Sequence, residues 1–334
     1  MKKIMFFRAL IYTGGTEKAM LNLISKLKGY DIYVGYSDES SEKSLLDSFA
    51  KYAKVINVNE APSIEFDYLV VCTTRYHLIP CVANIKRKNF ILWVHYLFKA
   101  DTSALKIKEE CDKIDNVISV SETMNKKLKD LFPLAQDKMS VVYNILDKEE
   151  IKEKSLIPIK LNLSETLNLV TVARVCEAKG FSRMLHLAHC LKKANIDFKW
   201  FIIGDNFYAD QANEIKEKFK DFKDNFEWFG FLDNPHNIVK QCDYSVLLSD
   251  EETWGLVITE AMYLKVPCIV TDFDVAYEQV TDNKNGIILS RTDLESYETR
   301  INDIVNNKEK YKAELINYDY ENEKILKQWE EIFK

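Results

Sequence analysis

The sequence predicts an α/β protein built from two Rossmann-like domains, each a parallel sheet flanked by helices. Three observations carry this. Short apolar and β-branched runs alternate with segments of helical apolar spacing along nearly the whole chain. The length, 334 residues, suits two ordinary domains better than one. A polar run from Asp147 to Glu165, rich in Lys and Glu, interrupts the alternation near the middle and reads as a linker. Tandem domains of this kind are expected to turn the C-terminal ends of both sheets toward one cleft.

Strands are expected near 3–7, 31–36, 54–58, 67–72, 90–95, 116–120 and 139–143, then near 168–173, 198–204, 226–230, 243–248, 267–271 and 286–289. Between them lie helical runs such as Met20, Leu23, Ile24 and Leu27. Beyond residue 292 the pattern is helical only, with Leu294, Tyr297, Ile301 and Ile304, and later Ile325, Leu326, Trp329 and Ile332. The expected division is therefore 1–150 and 151–317, with a helix at about 318–334 packing back on the first domain.

Hydrophobic residues make up 47% of the chain and charged ones 29%, enough for two cores in a globular protein. The net charge of −6 speaks against nucleic acid as a partner. Residues 1–150 hold 22 basic and 20 acidic side chains, which leaves 24 and 32 for the rest of the 46 and 52. The first half is thus the more basic, with clusters at Lys86-Arg87-Lys88 and Lys126-Lys127. This fits either solvated faces or contact with an anionic membrane surface. The seven cysteines, Cys72, Cys81, Cys111, Cys176, Cys190, Cys242 and Cys268, are scattered and form no CxxC pair, as in reduced thiols packed as small hydrophobes. His186, His189 and Cys190 share a helix but lack a second ligand pair, so no metal is expected. No stretch approaches the ~20 apolar residues of a membrane span. Arg8 and the early Gly14-Gly15 make the N-terminal run a core strand rather than a signal segment. The expected location is cytoplasmic, with peripheral contact at the inner face of the cell membrane.

Two segments carry chemistry. In Ser249-Asp250-Glu251-Glu252-Thr253-Trp254-Gly255-Leu256-Val257-Ile258-Thr259-Glu260-Ala261, a buried strand leads through a short loop into a helix N-terminus. Free backbone N–H groups and the helix dipole attract anions there. Glu252 stays on the loop, where a carboxylate accepts from hydroxyls; Glu260 lies one to two turns into the helix. A ligand bearing both hydroxyls and phosphate, such as a nucleotide sugar, suits this arrangement; a surface acidic loop before an ordinary helix is the other reading. In the second segment, the strand Asn168–Ala173 leads into Arg174-Val175-Cys176-Glu177-Ala178-Lys179-Gly180-Phe181. Arg174 and Lys179 then stand at the C-terminal end of a strand, where open α/β sheets bind ligands. Two cations there suit a diphosphate; two solvated surface cations are the other reading.

These segments resemble the retaining nucleotide-sugar glycosyltransferases of family four, which have the GT-B fold. That family's pattern is Arg, Lys-Gly, then Ser-x-x-Glu-Gly-Phe-Gly-Leu and a second Glu. The chain supplies Arg174, Lys179-Gly180, Ser249, Glu252, Gly255-Leu256 and Glu260 in order and at that spacing. Gly204 after Trp200–Ile203, Gly230 after Phe226–Phe229, Pro267–Asp272 and Asn285-Gly286 agree. So do Gly14-Gly15-Thr16-Glu17, His95 at the end of Phe90–Val94, Val120-Ser121-Glu122 and Tyr143-Asn144.

The resemblance implies a role for each residue. Arg174 and Lys179 neutralise the diphosphate, Glu252 binds hydroxyls of the donor sugar, and Glu260 binds the ribose. The backbone at Gly255 and Leu256 meets phosphate, as does that of Gly14 and Gly15. Gly204, Gly230, Ser249, Thr253 and Trp254 belong to the donor site. His95 lies over the sugar near its anomeric centre. Five departures stand out: Thr253 replaces the usual Gly, Trp254 replaces Phe, Ile145 replaces the Gly after Asn144, Leu248 replaces the frequent Pro before Ser249, and Asp272–Glu278 lacks the family's glycine pair.

The reaction so implied is metal-independent retaining hexosyl transfer, with no cofactor. The donor is a nucleotide diphosphate sugar, with UDP expected. The acceptor is a glycan or a lipid-linked sugar in bacterial surface polysaccharide or lipopolysaccharide synthesis. A non-catalytic partner or chaperone subunit of another transferase, and an epimerase or phosphorylase on the same fold, are the alternatives. A dehydrogenase is disfavoured because no GxGxxG follows a strand.

Overall fold

The computed structural model describes residues 1–59, 64–72, 80–96, 113–205 and 209–334; Cys111 lies outside them. They divide into two compact units, Met1–Leu146 with Glu321–Lys334, and Asp147–Tyr320. Each is an α/β unit with an all-parallel sheet.

The first sheet comprises β1 (Lys3–Phe7), β2 (Asp31–Tyr36), β3 (Lys54–Asn57), β4 (Glu65–Val71), β5 (Lys86–Val94), β6 (Asn116–Ser119) and β7 (Met139–Val141). Their order is β3-β2-β1-β4-β5-β6-β7. Central strands of a parallel sheet are covered on both faces, so they read as unbroken apolar runs. Accordingly Ile4, Met5, Phe6 and Phe7 of β1 are all buried, as are Leu69, Val70 and Val71 of β4. β5 begins at Lys86, earlier than its apolar run at Phe90. Its polar start still pairs in register with β4, Glu65 opposite Lys86, and Lys88 forms an ion pair with Asp67 at 2.7 Å. The guanidinium of Arg87 lies 4.6 Å from the ring centre of Phe90 and donates to the Val82 and Ile85 carbonyls, each at 3.0 Å. Much of this basic cluster is therefore engaged within the unit.

The helix Asn322–Ile332 completes the first unit. Trp329 meets Trp93 edge-on at 4.9 Å, Phe6 at 6.4 Å, and stacks on Phe333 at 5.5 Å. Asn322 fixes its start by bonding both polar groups of Leu146: Oδ1 accepts from the Leu146 N–H at 3.0 Å and Nδ2 donates to its carbonyl at 2.6 Å.

The second sheet comprises β8 (Leu167–Val172), β9 (Phe198–Ile203), β10 (Phe226–Gly230), β11 (Tyr244–Leu247), β12 (Cys268–Thr271) and β13 (Gly286–Leu289), in the order β10-β9-β8-β11-β12-β13. The expected linker is partly helical, a correction to the sequence reading. Residues Lys148–Ser155 form a helix whose N-cap Asp147 accepts from the Glu150 N–H, and Ile151 is its buried anchor. One apolar position in a charged run is too faint a signal to reveal a two-turn helix. His186 bonds the Leu294 carbonyl at 2.9 Å, and the ring of His189 lies 4.8 Å edge-on from that of Phe222; both serve packing. Among the described residues no helix is long and apolar enough to cross a membrane.

Trp329→Ala should destabilise the first unit by about 3–5 kcal/mol, because it empties the centre of this aromatic cluster. The measurement is denaturant unfolding followed by tryptophan fluorescence; an unchanged midpoint would show that the helix is not integral to the unit.

Candidate active site

In an open parallel sheet, ligands bind beyond the carboxyl ends of the strands where strand order reverses. In the second unit this point falls between β8 and β11. Past β8 the chain passes Arg174 and enters a short turn, Glu177–Lys179, which ends at Gly180 with φ +76°. A Cβ on Gly180 would stand 1.8 Å from the Leu248 carbonyl oxygen. Only glycine lets this turn rest directly on the end of β11.

That contact brings Lys179 to the loop after β11. Its Nζ lies 2.6 Å from Glu252 Oε1, with both side chains mostly buried. Ser249, fully buried, donates its hydroxyl to the same oxygen at 2.8 Å. Thus two residues assigned separately, Lys179 to phosphate and Glu252 to sugar, hold each other, and Ser249 orients the carboxylate. Arg174 stands exposed.

Gly255, left-handed at φ +79°, caps the helix Leu256–Tyr263. Leu256 is its first residue and Glu260 lies half-buried one turn along, while Thr253 is half-buried on the loop. Trp254 is buried, and its indole N–H donates to Thr259 Oγ1 at 3.0 Å. Thr259 donates to Gln279 Oε1 at 2.7 Å, and Gln279 returns a bond to the Trp254 carbonyl. A buried indole needs an acceptor, so this side chain is committed to holding the loop. Gly204 ends β9, where its N–H donates to the Gly230 carbonyl at 2.7 Å. A Cβ on Gly204 would meet the Ala173 carbonyl at 1.9 Å, so it packs against the residue before Arg174, whereas Gly230 has open space around it.

In the first unit, strand order reverses between β1 and β4. Arg8 follows β1 and Cys72 follows β4. Arg8 is buried, and its Nη1 donates to the Cys72 carbonyl at 3.0 Å. Nε pairs with Glu17, which is itself 1% exposed. Nη2 reaches the hydroxyls of Tyr96 at 2.8 Å and Tyr12 at 3.4 Å, and the guanidinium carbon lies 5.4 and 5.5 Å from the Tyr12 and Tyr96 ring centres. Burial opposes the charge on Arg8, but Glu17 and Tyr96 outweigh it and raise the guanidinium above its ordinary value. Burial likewise resists ionisation of Tyr96, yet Arg8 outweighs it and holds this phenol below the usual tyrosine range.

His95 follows β5, buried, with its ring centre 4.4 Å from that of Trp93. Burial, reinforced by the positive charge of Arg8, lowers its pKa to about 3. His95 is therefore a neutral imidazole at neutral pH. Gly14 is extended and N-caps the helix Gly15–Lys26, and its carbonyl accepts from Lys18 at 3.0 Å. A Cβ on Gly14 would lie 3.0 Å from Glu17 Oε2, whereas Gly15 faces open space. Ser121 proves to be a helix cap, accepting from the Met124 N–H at 3.2 Å. The sequence reading passed over Tyr12 and Tyr96, and gave Arg8 and Glu17 no role beyond ending an apolar run and closing a glycine-rich turn. The available signal was a charged residue directly after an apolar strand and a Glu closing the glycine quartet.

Two parallel α/β units, the second with a Lys–Glu pair and a helix N-terminus at its reversal point, define the class of open-sheet proteins that take ligands beyond their strand ends. The chain belongs to the glycosyl transferases group 1 family, whose model matches residues 147–322. It is similar to an uncharacterised glycosyltransferase of Haemophilus influenzae, at 24% identity over 99% of this chain and 100% of that one. It is also similar, at 20% identity over 86% of each chain, to a Campylobacter jejuni enzyme, N-acetylgalactosamine-N,N'-diacetylbacillosaminyl-diphospho-undecaprenol 4-alpha-N-acetylgalactosaminyltransferase. In fold it matches the crystal structure of Anabaena HepE in complex with UDP-glucose, with TM-score 0.82 and 18% identity over 99% and 100% of the two chains. The α/β class with two Rossmann-like units, of GT-B type, is the fold expected from the sequence.

Because the folded state resists protonating His95 until about pH 3, against roughly 6.5 when unfolded, its stabilising contribution is complete above roughly pH 6.5. It is lost as pH falls toward 3. Wild type should lose stability relative to His95→Gln by about 1 kcal/mol per pH unit between pH 6 and 4. Urea unfolding at several pH values checks this; parallel slopes for the two proteins would refute it.

Proposed function

We propose that this glycosyltransferase is a retaining enzyme that takes its sugar from a UDP-sugar and needs no metal. The observation that carries the reading is the Lys179–Glu252 pair, 2.6 Å apart at the reversal point of the second sheet, beside the helix N-terminus at Gly255. An incoming donor exchanges these partners. The ammonium of Lys179 turns to the diphosphate together with Arg174, and Glu252, released, accepts from sugar hydroxyls. The backbone N–H groups of Gly255 and Leu256 add to the phosphate cradle, and Glu260 holds the ribose. The bond from the anomeric carbon to the diphosphate oxygen breaks, and the negative charge that develops there is met by these fixed cations and dipoles. The acceptor oxygen bonds the same face of that carbon, and its proton passes to the departing phosphate. His95, neutral at neutral pH, is suited to hydrogen bonding rather than to carrying charge. UDP-glucose in the related Anabaena structure supports the donor class. The diphospho-undecaprenol acceptor in the Campylobacter relative's name supports a lipid-linked acceptor in surface-glycan synthesis, reached by peripheral membrane contact.

The test is release of free nucleotide from a panel of UDP-, GDP- and ADP-sugars with EDTA present, with donor binding measured on the same samples. Turnover of one UDP-sugar is expected, with Lys179→Ala and Glu252→Ala each lowering it by about 100-fold or more. A protein that neither binds nor hydrolyses any donor would overturn the proposal.

A further inference from the structure

The loop between Ser249 and Glu252 is fastened at an unexpected residue. Asp250 is exposed, yet its backbone and its carboxylate are both engaged. Its N–H donates to the Ala178 carbonyl at 2.9 Å, which ties it to the Lys179 turn. Its carboxylate takes a bond from Arg183 Nη2 at 2.6 Å, while Arg183 Nε donates to the Leu248 carbonyl at 2.8 Å. Its carbonyl accepts from Arg291 Nη1 at 2.7 Å. Arg291 is anchored in turn by Asp272, whose Oδ1 accepts from both the Arg291 backbone N–H at 2.9 Å and Nε at 3.0 Å. Asp274 adds a looser contact at 3.9 Å. Asp272 and Asp274 lie in the segment after β12 that lacks the glycine pair of the resembling family.

Two arginines from different elements therefore grip one loop residue, Arg183 from the helix that follows the Lys179 turn and Arg291 from beyond β13. A planar guanidinium makes several directional bonds at once, so each fixes orientation as well as distance. Asp250 lies two residues before Glu252, whose Oε1 accepts from both Ser249 Oγ and Lys179 Nζ. The backbone direction entering Glu252 is set by the grip on Asp250.

We infer that Arg183 and Arg291 are positioning residues that, through Asp250, aim Glu252 at the sugar of the donor and so determine how far the enzyme prefers a nucleotide sugar to the bare nucleotide. This rests on the functional reading above. Neither arginine need touch the ligand. On that reading the bare diphosphate is held by Arg174, Lys179 and backbone N–H groups, and only the sugar is held by the Glu252 carboxylate. Loosening the grip on Asp250 weakens sugar recognition selectively.

The experiment is calorimetric titration of wild type, Arg291→Met, Arg291→Lys and Arg183→Met with UDP, UDP-glucose and UDP-N-acetylglucosamine, after matched melting curves establish that each variant is folded. For the sugar nucleotide that wild type prefers, the methionine variants should bind about tenfold more weakly, the scale of one lost charge-assisted hydrogen bond. UDP itself should change by less than about twofold, and Arg291→Lys should recover part of the loss. Equal loss of UDP and sugar nucleotide, or no loss of either, would overturn the inference. So would a Lys variant no better than Met. Wild type that binds none of the three probes would instead count against the UDP-sugar reading itself.

Discussion

The approach of Gly180 to the Leu248 carbonyl is the contact on which the second unit's site depends. It leaves no room for a side chain, and so it sets the separation of two loops that are about 70 positions apart in sequence, Lys179 and Glu252 being 73 apart. From that separation follow the ion pair between them, the use of Ser249 as a buried hydroxyl donor, and the bond from Asp250 to Ala178. Any larger residue at 180 would push the cation and the carboxylate apart together. The chemistry of the site is thus fixed by a backbone-to-backbone distance before any charge is considered.

The two units use one topology for different electrostatic ends. Each reverses strand order once, and each places charged residues there. In the second unit Arg174 is exposed, Lys179 is mostly buried, and the partner of Lys179 is the single carboxylate of Glu252. In the first, the Arg8 guanidinium is enclosed by Glu17, Cys72, Tyr12 and Tyr96, so its charge is spent inside the unit. What it projects is an electric field, felt at His95, and a rigid arrangement of two phenols. A buried cation that is fully hydrogen-bonded can orient its surroundings without offering itself to a ligand.

The strands were legible because parallel central strands are apolar throughout, and the loops of the second unit were legible because their spacing is short and ordered. What escaped the sequence has a common cause. Arg8 looked like the residue that ends an apolar run, and its meaning lies in Cys72 and Tyr96, more than 60 and 80 positions away. Trp254 was placed at the donor site by resemblance alone; its bond to Thr259, itself bonded to Gln279, ties the loop to two helices. Arg183 and Arg291 drew no assignment from the sequence, and only folding brings both to Asp250. The helix Lys148–Ser155 was hidden because one buried isoleucine sustains it. Local periodicity reports which face is covered, not which distant group covers it.

The reciprocal bonds between Asn322 and Leu146 join positions separated by the whole second unit, Asp147–Tyr320. On the ribosome, the strands of the first sheet emerge early, but the helix that carries Trp329 comes only after 174 further residues, the span from 147 to 320. At about 5–20 residues per second that interval is roughly 10–35 s. Throughout it, the aromatic surface around Phe6 and Trp93 has no native cover. The unit that begins first is thus completed last.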